Sequence, residues 1–233
     1  MPTASNSKDC PRVGTTGIGD NQQTLEHMLD AERKCGSYAP VRGRMQKARC
    51  AGSPEKVEME KIYDAPNGAS VYVGGDSDYE KVKDNPKFKS ARMCKYGPGG
   101  HQQTLNYSTK GAPKGKNYLS VEAKNRIAIN IVDFDDPNMI PFECITIALH
   151  YIKEQLEKGF NVLVACNQGE SRGPSTGLAF LRAIGDLPHN FHTSEKIYKS
   201  IYNKYDPDMG IRQVLRKHWS ELDNFLEKDN GTK

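Results

Sequence analysis

The sequence predicts an α/β fold: a central, mostly parallel sheet flanked by helices, behind a partly ordered N-terminal extension. Three observations carry this. RIAINIVD (126–133) and FNVLVAC (160–166) are near-continuous apolar runs, the mark of strands buried on both faces. Between them, in DDPNMIPFECITIALHYIKEQLEKG, residues Ile145, Leu149, Ile152 and Leu156 recur at helical spacing. Strand, helix, strand, then further helices is the order of an α/β sandwich, with a parallel strand pair joined by a crossover helix.

The remaining elements follow in chain order. Residues 1–64 read as an extension, poorly structured or regulatory, and 65–228 as the folded domain. Within the extension LEHMLDAERK (25–34) reads as a short helix, and the basic, Gly-punctuated VRGRMQKARC (41–50) as a solvated arm. ASVYVGG (69–75) alternates Val71 and Val73 with polar neighbours and closes on glycines, which predicts a strand. Asp76 to Lys83 reads as a short helix and SARMCKY (90–96) as a second strand. The stretch 96–119 is rich in Gly, Pro and Lys and too long for a plain connector. His101, with Lys95, Lys110, Lys114 and Lys116 nearby, is a candidate substrate-recognition group there.

Pro141 suits the first turn of the 135–159 helix, and Gly159 ends it. STGLAFLRAIG (175–185) predicts a short helix stopped by Gly185. SEKIYKSIYNKY (194–205), with Thr193 as N-cap, and MGIRQVLRKHWSELDNFLEK (209–228) have the one-sided patterns of amphipathic helices. Tyr198, Tyr202, Tyr205 and Trp219 sit at spacings that mean packing.

Composition narrows the function. A formal charge of +4 over 233 residues permits an anionic substrate, but without a basic stripe it argues against nucleic acid. No run approaches the length of a membrane span, and the N-terminus lacks the apolar core of a secretory signal, so a cytoplasmic protein is expected. The six cysteines include no C-x-x-C pair, so neither a disulfide frame nor a zinc site is expected. His189 and His192 have no further ligand pattern, and no metal or cofactor is called for.

One stretch carries chemistry: VLVACNQGESRGPSTGLAFL (162–181). Cys166 leaves a buried strand, and a Gly-bearing loop then leads through Arg172 into an apolar helix with Pro174 in its first turn. Gly169 can take left-handed dihedrals. In such a loop the amides of Asn167, Gln168, Gly169, Glu170, Ser171 and Arg172 can point inward as an anion nest, with the helix's positive end behind them. Arg172 can grip two phosphate oxygens through its planar fork. The same field favours a thiolate at Cys166, the nucleophilic form.

The stretch resembles the H-C-x-x-G-x-S-R-S-P signature of the cysteine-dependent dual-specificity protein phosphatases. The likeness runs from about Val71 to the last helix and is strongest from Asp133 to Ala183. It implies a phosphatase-type fold and hydrolysis of phosphotyrosine-, phosphoserine- or phosphothreonine-type monoesters without metal. Cys166 would form a phosphocysteine, while Arg172 and the loop amides hold the phosphoryl oxygens. An upstream Asp would protonate the leaving oxygen and later activate water. D-F-D-D offers Asp133, Asp135 and Asp136. Asp135 is the first choice, because Asp133 reads as still within the strand and Asp136 as close to a helix cap.

The family's His before the cysteine is Ala165 here, and its Ser or Thr after the arginine is Gly173. Ser171, Ser175 and Thr176 are candidate replacements for the missing hydroxyl. Glu170 would oppose a dianion if it pointed inward. Partners implied are a phosphorylated protein or another phosphomonoester. The alternatives are an impaired pseudophosphatase that binds phosphorylated ligands, or a phosphatase of RNA 5′ ends or phosphoinositides. Relatives of the last kind often carry Lys in the loop, and N-Q-G-E-S has none.

Overall fold

The computed structural model describes residues 59–223 and 225–228; the segments at 25–34 and 41–50 lie outside the described residues. A six-stranded mixed sheet has the order β1-β2-β6-β3-β5-β4. Its strands are β1 (Glu60–Asp64), β2 (Ser70–Gly74), β3 (Phe88–Arg92), β4 (Ser120–Ala123), β5 (Arg126–Ile129) and β6 (Asn161–Ala165). The pairs β2–β6, β6–β3 and β3–β5 are parallel, while β1 and β4 add antiparallel edges. The expected mostly parallel sheet is therefore the one observed.

Helices cover both faces. On one side α1 (Asp76–Val82) packs Tyr79 and Val82 against Leu163 and Ala165 of β6. The larger core lies on the other side, under α3 (Glu143–Glu157) and α4 (Arg172–Ala183). Ile145, Leu149 and Ile152 are fully buried, as their spacing predicts. Every residue of α4 is buried, so the helix that follows the Cys166 loop is held from all sides. Among the described residues no helix is long and apolar enough to cross a membrane.

Several boundaries differ from the sequence reading. The sheet begins at Glu60, inside the segment read as extension, because β1 forms a hairpin with β2 across Pro66-Asn67-Gly68. Its alternation is nearly silent, since Ile62 is the one buried side chain on this edge strand. The strands β5 and β6, expected as a neighbouring parallel pair, are separated by β3, which pairs with both. The run 126–133 leaves the sheet at Ile129, so Asp133 lies on a loop and not within a strand.

Asn190, not Thr193, caps α5 (Phe191–Ile201): its Oδ1 accepts the Thr193 amide at 2.9 Å, which is the third-position contact of an N-cap. The segment 209–228 splits into α6 (Met209–Lys217) and α7 (Phe225–Lys228), with Trp219 buried in the turns between them. His101 is fully buried at the start of α2 (His101–Leu105), between the Tyr107 hydroxyl at 3.2 Å and the Asn117 carbonyl at 2.8 Å. It pins the 96–119 segment and does not line a substrate surface. Burial holds its pKa below the ordinary imidazole value.

Helix α6 also positions the Asp133 loop. Gly210 in its first turn lies against the Phe134 carbonyl, and a Cβ built there would overlap that oxygen. Gly210→Ala must therefore displace the loop. Thermal denaturation should find a folded protein less stable by about 1–3 kcal/mol; an unchanged melting temperature would show that the loop absorbs the methyl group freely.

Candidate active site

Cys166 follows β6 at the carboxyl edge of the sheet, where ligand sites of α/β folds gather. The loop to Arg172 bends back through Gly169, whose φ is +79°. A Cβ at Gly169 would come within 2.8 Å of the Gly74 carbonyl carbon and 2.9 Å of the Gly75 nitrogen. Glycine is required there both by dihedral and by backbone approach. The glycines that close ASVYVGG make the other half of this contact.

The loop's carbonyls are tied outward. The Asn167 carbonyl accepts the Asp76 amide at 3.0 Å, the Glu170 carbonyl the Asp206 amide at 3.0 Å, and the Gly169 carbonyl the Tyr202 hydroxyl at 2.6 Å. Among the described residues, the amides from Asn167 through Arg172 donate to no protein acceptor. Consecutive free amides backed by the start of a helix form an anion-binding concavity. They enclose a cavity of about 430 Å³ that contains Cys166, Arg172 and Asp133.

Arg172 is 7% exposed. Its Nη1 donates to the Ile131 carbonyl at 3.2 Å, and its Nη2 contacts Asn167 Oδ1 at 3.0 Å and Asp133 Oδ2 at 2.7 Å. Its Nε has no hydrogen-bond partner among the described residues. Ser171, which precedes α4, donates from Oγ to Asp133 Oδ1 at 3.5 Å and accepts the Asp208 amide at 3.1 Å. Of the three candidate acids, only Asp133 lines the cavity. Asp135 is exposed and does not line it, and Asp136 caps a 3-10 turn by accepting the Asn138 amide at 2.9 Å. Burial raises the Asp133 pKa first, the Asp208 carboxyl adds to this, and Arg172 opposes both.

Residues the sequence reading passed over brace the loop from behind. Arg92, at the end of β3, is fully buried. It pairs with Asp76, reaches the Cys166 carbonyl at 3.5 Å and the Cys94 sulfur at 3.3 Å, and lies 4.5 Å from the Tyr79 ring centre. Asp76 also accepts from Asn167 Nδ2 at 3.2 Å. An arginine in a strand reads as a solvent-facing residue, so no signal marked it. Burial pushes the Cys94 thiol up, which keeps it protonated beside Cys166.

Gly173 sits under Cys166: a Cβ there would be 2.9 Å from the Cys166 nitrogen and 3.1 Å from the Ala165 carbonyl carbon. Among the described residues no hydroxyl hydrogen-bonds Cys166 Sγ. Ser171 Oγ engages Asp133, Thr176 Oγ1 donates to the Arg172 carbonyl, and Ser175 Oγ is buried without a hydrogen-bond partner among the described residues. Glu170, Asp206 and Asp208 line the cavity mouth with their exposed side chains.

No protein-family model matches the chain. A protein of Acanthamoeba polyphaga mimivirus, provisionally named tyrosine-protein phosphatase R622, is 27% identical over 119 residues, 46% of this chain and 55% of that protein. The chain thus spans about half the length of the curated relative it matches. The crystal structure of DUSP15 superposes with a TM-score of 0.51 at 15% identity, covering 76% of this chain and 97% of that one. Human DUSP28 gives 0.46 at 16% identity over 72% and 95%. The chain has the dual-specificity phosphatase fold, as the resemblance in its loop implied.

Arg92→Met removes the cation and leaves Asp76, about one-third exposed, with Asn167 Nδ2 as its remaining side-chain donor. Denaturant unfolding should register a loss of about 2–4 kcal/mol, the lower part of the range for a broken buried pair because water reaches the acid. A loss below about 0.5 kcal/mol would show that the pair does not brace the loop.

Proposed function

We propose that this chain hydrolyses phosphate monoesters of the phosphotyrosine, phosphoserine or phosphothreonine type through a phosphocysteine at Cys166. The observation that supports this most is the run of free amides from Asn167 to Arg172 around the cysteine. Such a cradle offers donors to several phosphoryl oxygens at once, and Arg172 Nε adds another.

In the first step the Cys166 thiolate attacks phosphorus. An S–P bond forms, the ester P–O bond breaks, and the leaving oxygen takes a proton from Asp133. In the second step the Asp133 carboxylate draws a proton from water as the water oxygen attacks phosphorus. The S–P bond breaks, inorganic phosphate departs and the thiolate is restored. Asp133 replaces Asp135 as our candidate acid and base because it alone of the three lies beside Arg172 in the cavity. With no hydroxyl on Cys166 Sγ, the thiolate leaves unaided and the second step is the slower one. Gly173→Ser is not a clean remedy, since its Cβ would press on the Cys166 backbone.

Electrostatics rank the substrate classes. Asp133, Glu170, Asp206 and Asp208 line a cavity that holds one arginine. Carboxylates in that number repel a second and third phosphate more than they hinder one held by the amides. This favours a singly phosphorylated protein side chain over phosphoinositides or RNA 5′ ends. A pseudophosphatase would share the geometry and differ only in turnover.

Turnover of an aryl phosphate is the test. Cys166→Ser should lower the rate by about a thousandfold or more with the fold intact, since a serine hydroxyl stays protonated here. Asp133→Asn should cost about a hundredfold or more with a poor leaving group. The wild-type rate should fall at high pH as Asp133 loses its proton, and at a higher pH than an ordinary carboxylate would dictate, because its pKa is raised. Wild-type activity in Cys166→Ser would refute the assignment, and a folded wild type with no turnover would leave only phosphate binding.

A further inference from the structure

The Cys166 cavity is unevenly charged. Four carboxylates, Asp133, Glu170, Asp206 and Asp208, line it with one arginine, Arg172, which is already paired with Asp133 at 2.7 Å. Glu170, Asp206 and Asp208 are exposed, and among the described residues none of them pairs with a lysine or arginine. Their backbones are tied to the loop: the Asp206 amide donates to the Glu170 carbonyl at 3.0 Å and the Asp208 amide to Ser171 Oγ at 3.1 Å. Lys196 and Lys199 share a separate hollow with Asp206 and line no part of this cavity. The interior is built for the opposite charge. Among the described residues the amides from Asn167 to Arg172 have no protein acceptor, and Arg172, more than nine-tenths buried, keeps an unbonded Nε.

An anion-binding floor under an anionic rim suits a ligand of mixed charge. We propose that the protein selects phosphorylated side chains that have lysine or arginine as neighbours in the peptide, with the phosphate on the loop amides and the cations against Glu170, Asp206 and Asp208. The proposal rests on the reading of the cavity as a phosphoprotein site and adds which phosphoproteins it takes. Because the three acids line the cavity that holds Cys166, a side chain that reaches the sulfur brings its neighbours to the rim. Acidic neighbours meet like charge there, which slows encounter and weakens the complex. Neutral neighbours gain nothing from the rim. Basic neighbours pair with carboxylates that no lysine or arginine of the described chain neutralises. An exposed pair of this kind is worth at most about two- to fivefold in affinity, so several together give about tenfold, and salt screens them.

The test uses the full-length Cys166→Ser protein, which holds a phosphopeptide without turning it over, and a fluorescent phosphotyrosine peptide made in three forms. Lysine flanks should bind about tenfold more tightly than alanine flanks, glutamate flanks more weakly still, and the spread should shrink at high salt. Asp206→Asn and Asp208→Asn in that background should each narrow the spread by about two- to fivefold, weakening the lysine peptide while strengthening the glutamate one. Movement in opposite directions separates rim charge from damage to the fold, which would weaken both. The unphosphorylated lysine peptide should bind at least about tenfold more weakly than its phosphorylated form; equal binding would mean unspecific attraction and overturn the proposal. Equal affinity for the three forms, a preference for glutamate, or a spread untouched by both variants would overturn it too. Wild-type turnover of an aryl phosphate, which has no flanks, keeps the two readings apart. Turnover without a flank preference ends this proposal alone, whereas neither turnover nor phosphopeptide binding ends the phosphatase reading with it.

Discussion

A fully buried guanidinium underlies the site. Arg92 can be charged in the core only because Asp76, the Cys166 carbonyl, the Cys94 sulfur and the Tyr79 ring surround it. Those partners belong to the start of α1, the end of β3 and the loop from Cys166 to Arg172. Satisfying one charge therefore fixes three pieces of backbone relative to each other. With the Cys166 and Asn167 carbonyls turned toward Arg92 and α1, the following amides face the cavity.

The second constraint is the absence of side chains. Gly74 and Gly75 meet Gly169 backbone to backbone, Gly173 lies under the Cys166 nitrogen, and Gly210 lies on the Phe134 carbonyl. At each contact a methyl group would push apart two segments that the site needs together. The loop carrying Asp133 is thereby set by α6, an element remote in sequence. The same helix start places the Asp208 amide on Ser171 Oγ, which in turn meets Asp133.

Much of the fold was legible because β5, β6 and α3 are buried enough for their period to dominate the sequence. The Cys166–Arg172 loop was legible for another reason: Gly169 is demanded by its dihedral and Pro174 suits the first turn of the helix, while Cys166 and Arg172 stand at the two ends of the loop. What escaped is what depends on tertiary placement. Edge strands β1 and β4 bury too little to show a pattern. Arg92 has the sequence signature of a surface residue and the opposite environment. The choice among Asp133, Asp135 and Asp136 turned on where β5 leaves the sheet, and the apolar run through Ile131 and Val132 hid that exit. Asp208 offers no signal at all outside the fold, since it looks like an ordinary helix cap.

The claim that ties these features together is that the cradle exists to carry a phosphoryl group on Cys166. Its most direct test is acid quenching of the wild-type protein during turnover of an aryl phosphate, followed by mass spectrometry of the peptide that contains Cys166. With attack faster than release, that peptide should carry one phosphoryl group in a large share of molecules, and Cys166→Ser should carry none. Sustained turnover with no adduct on Cys166, or with the group on another residue, would contradict the account.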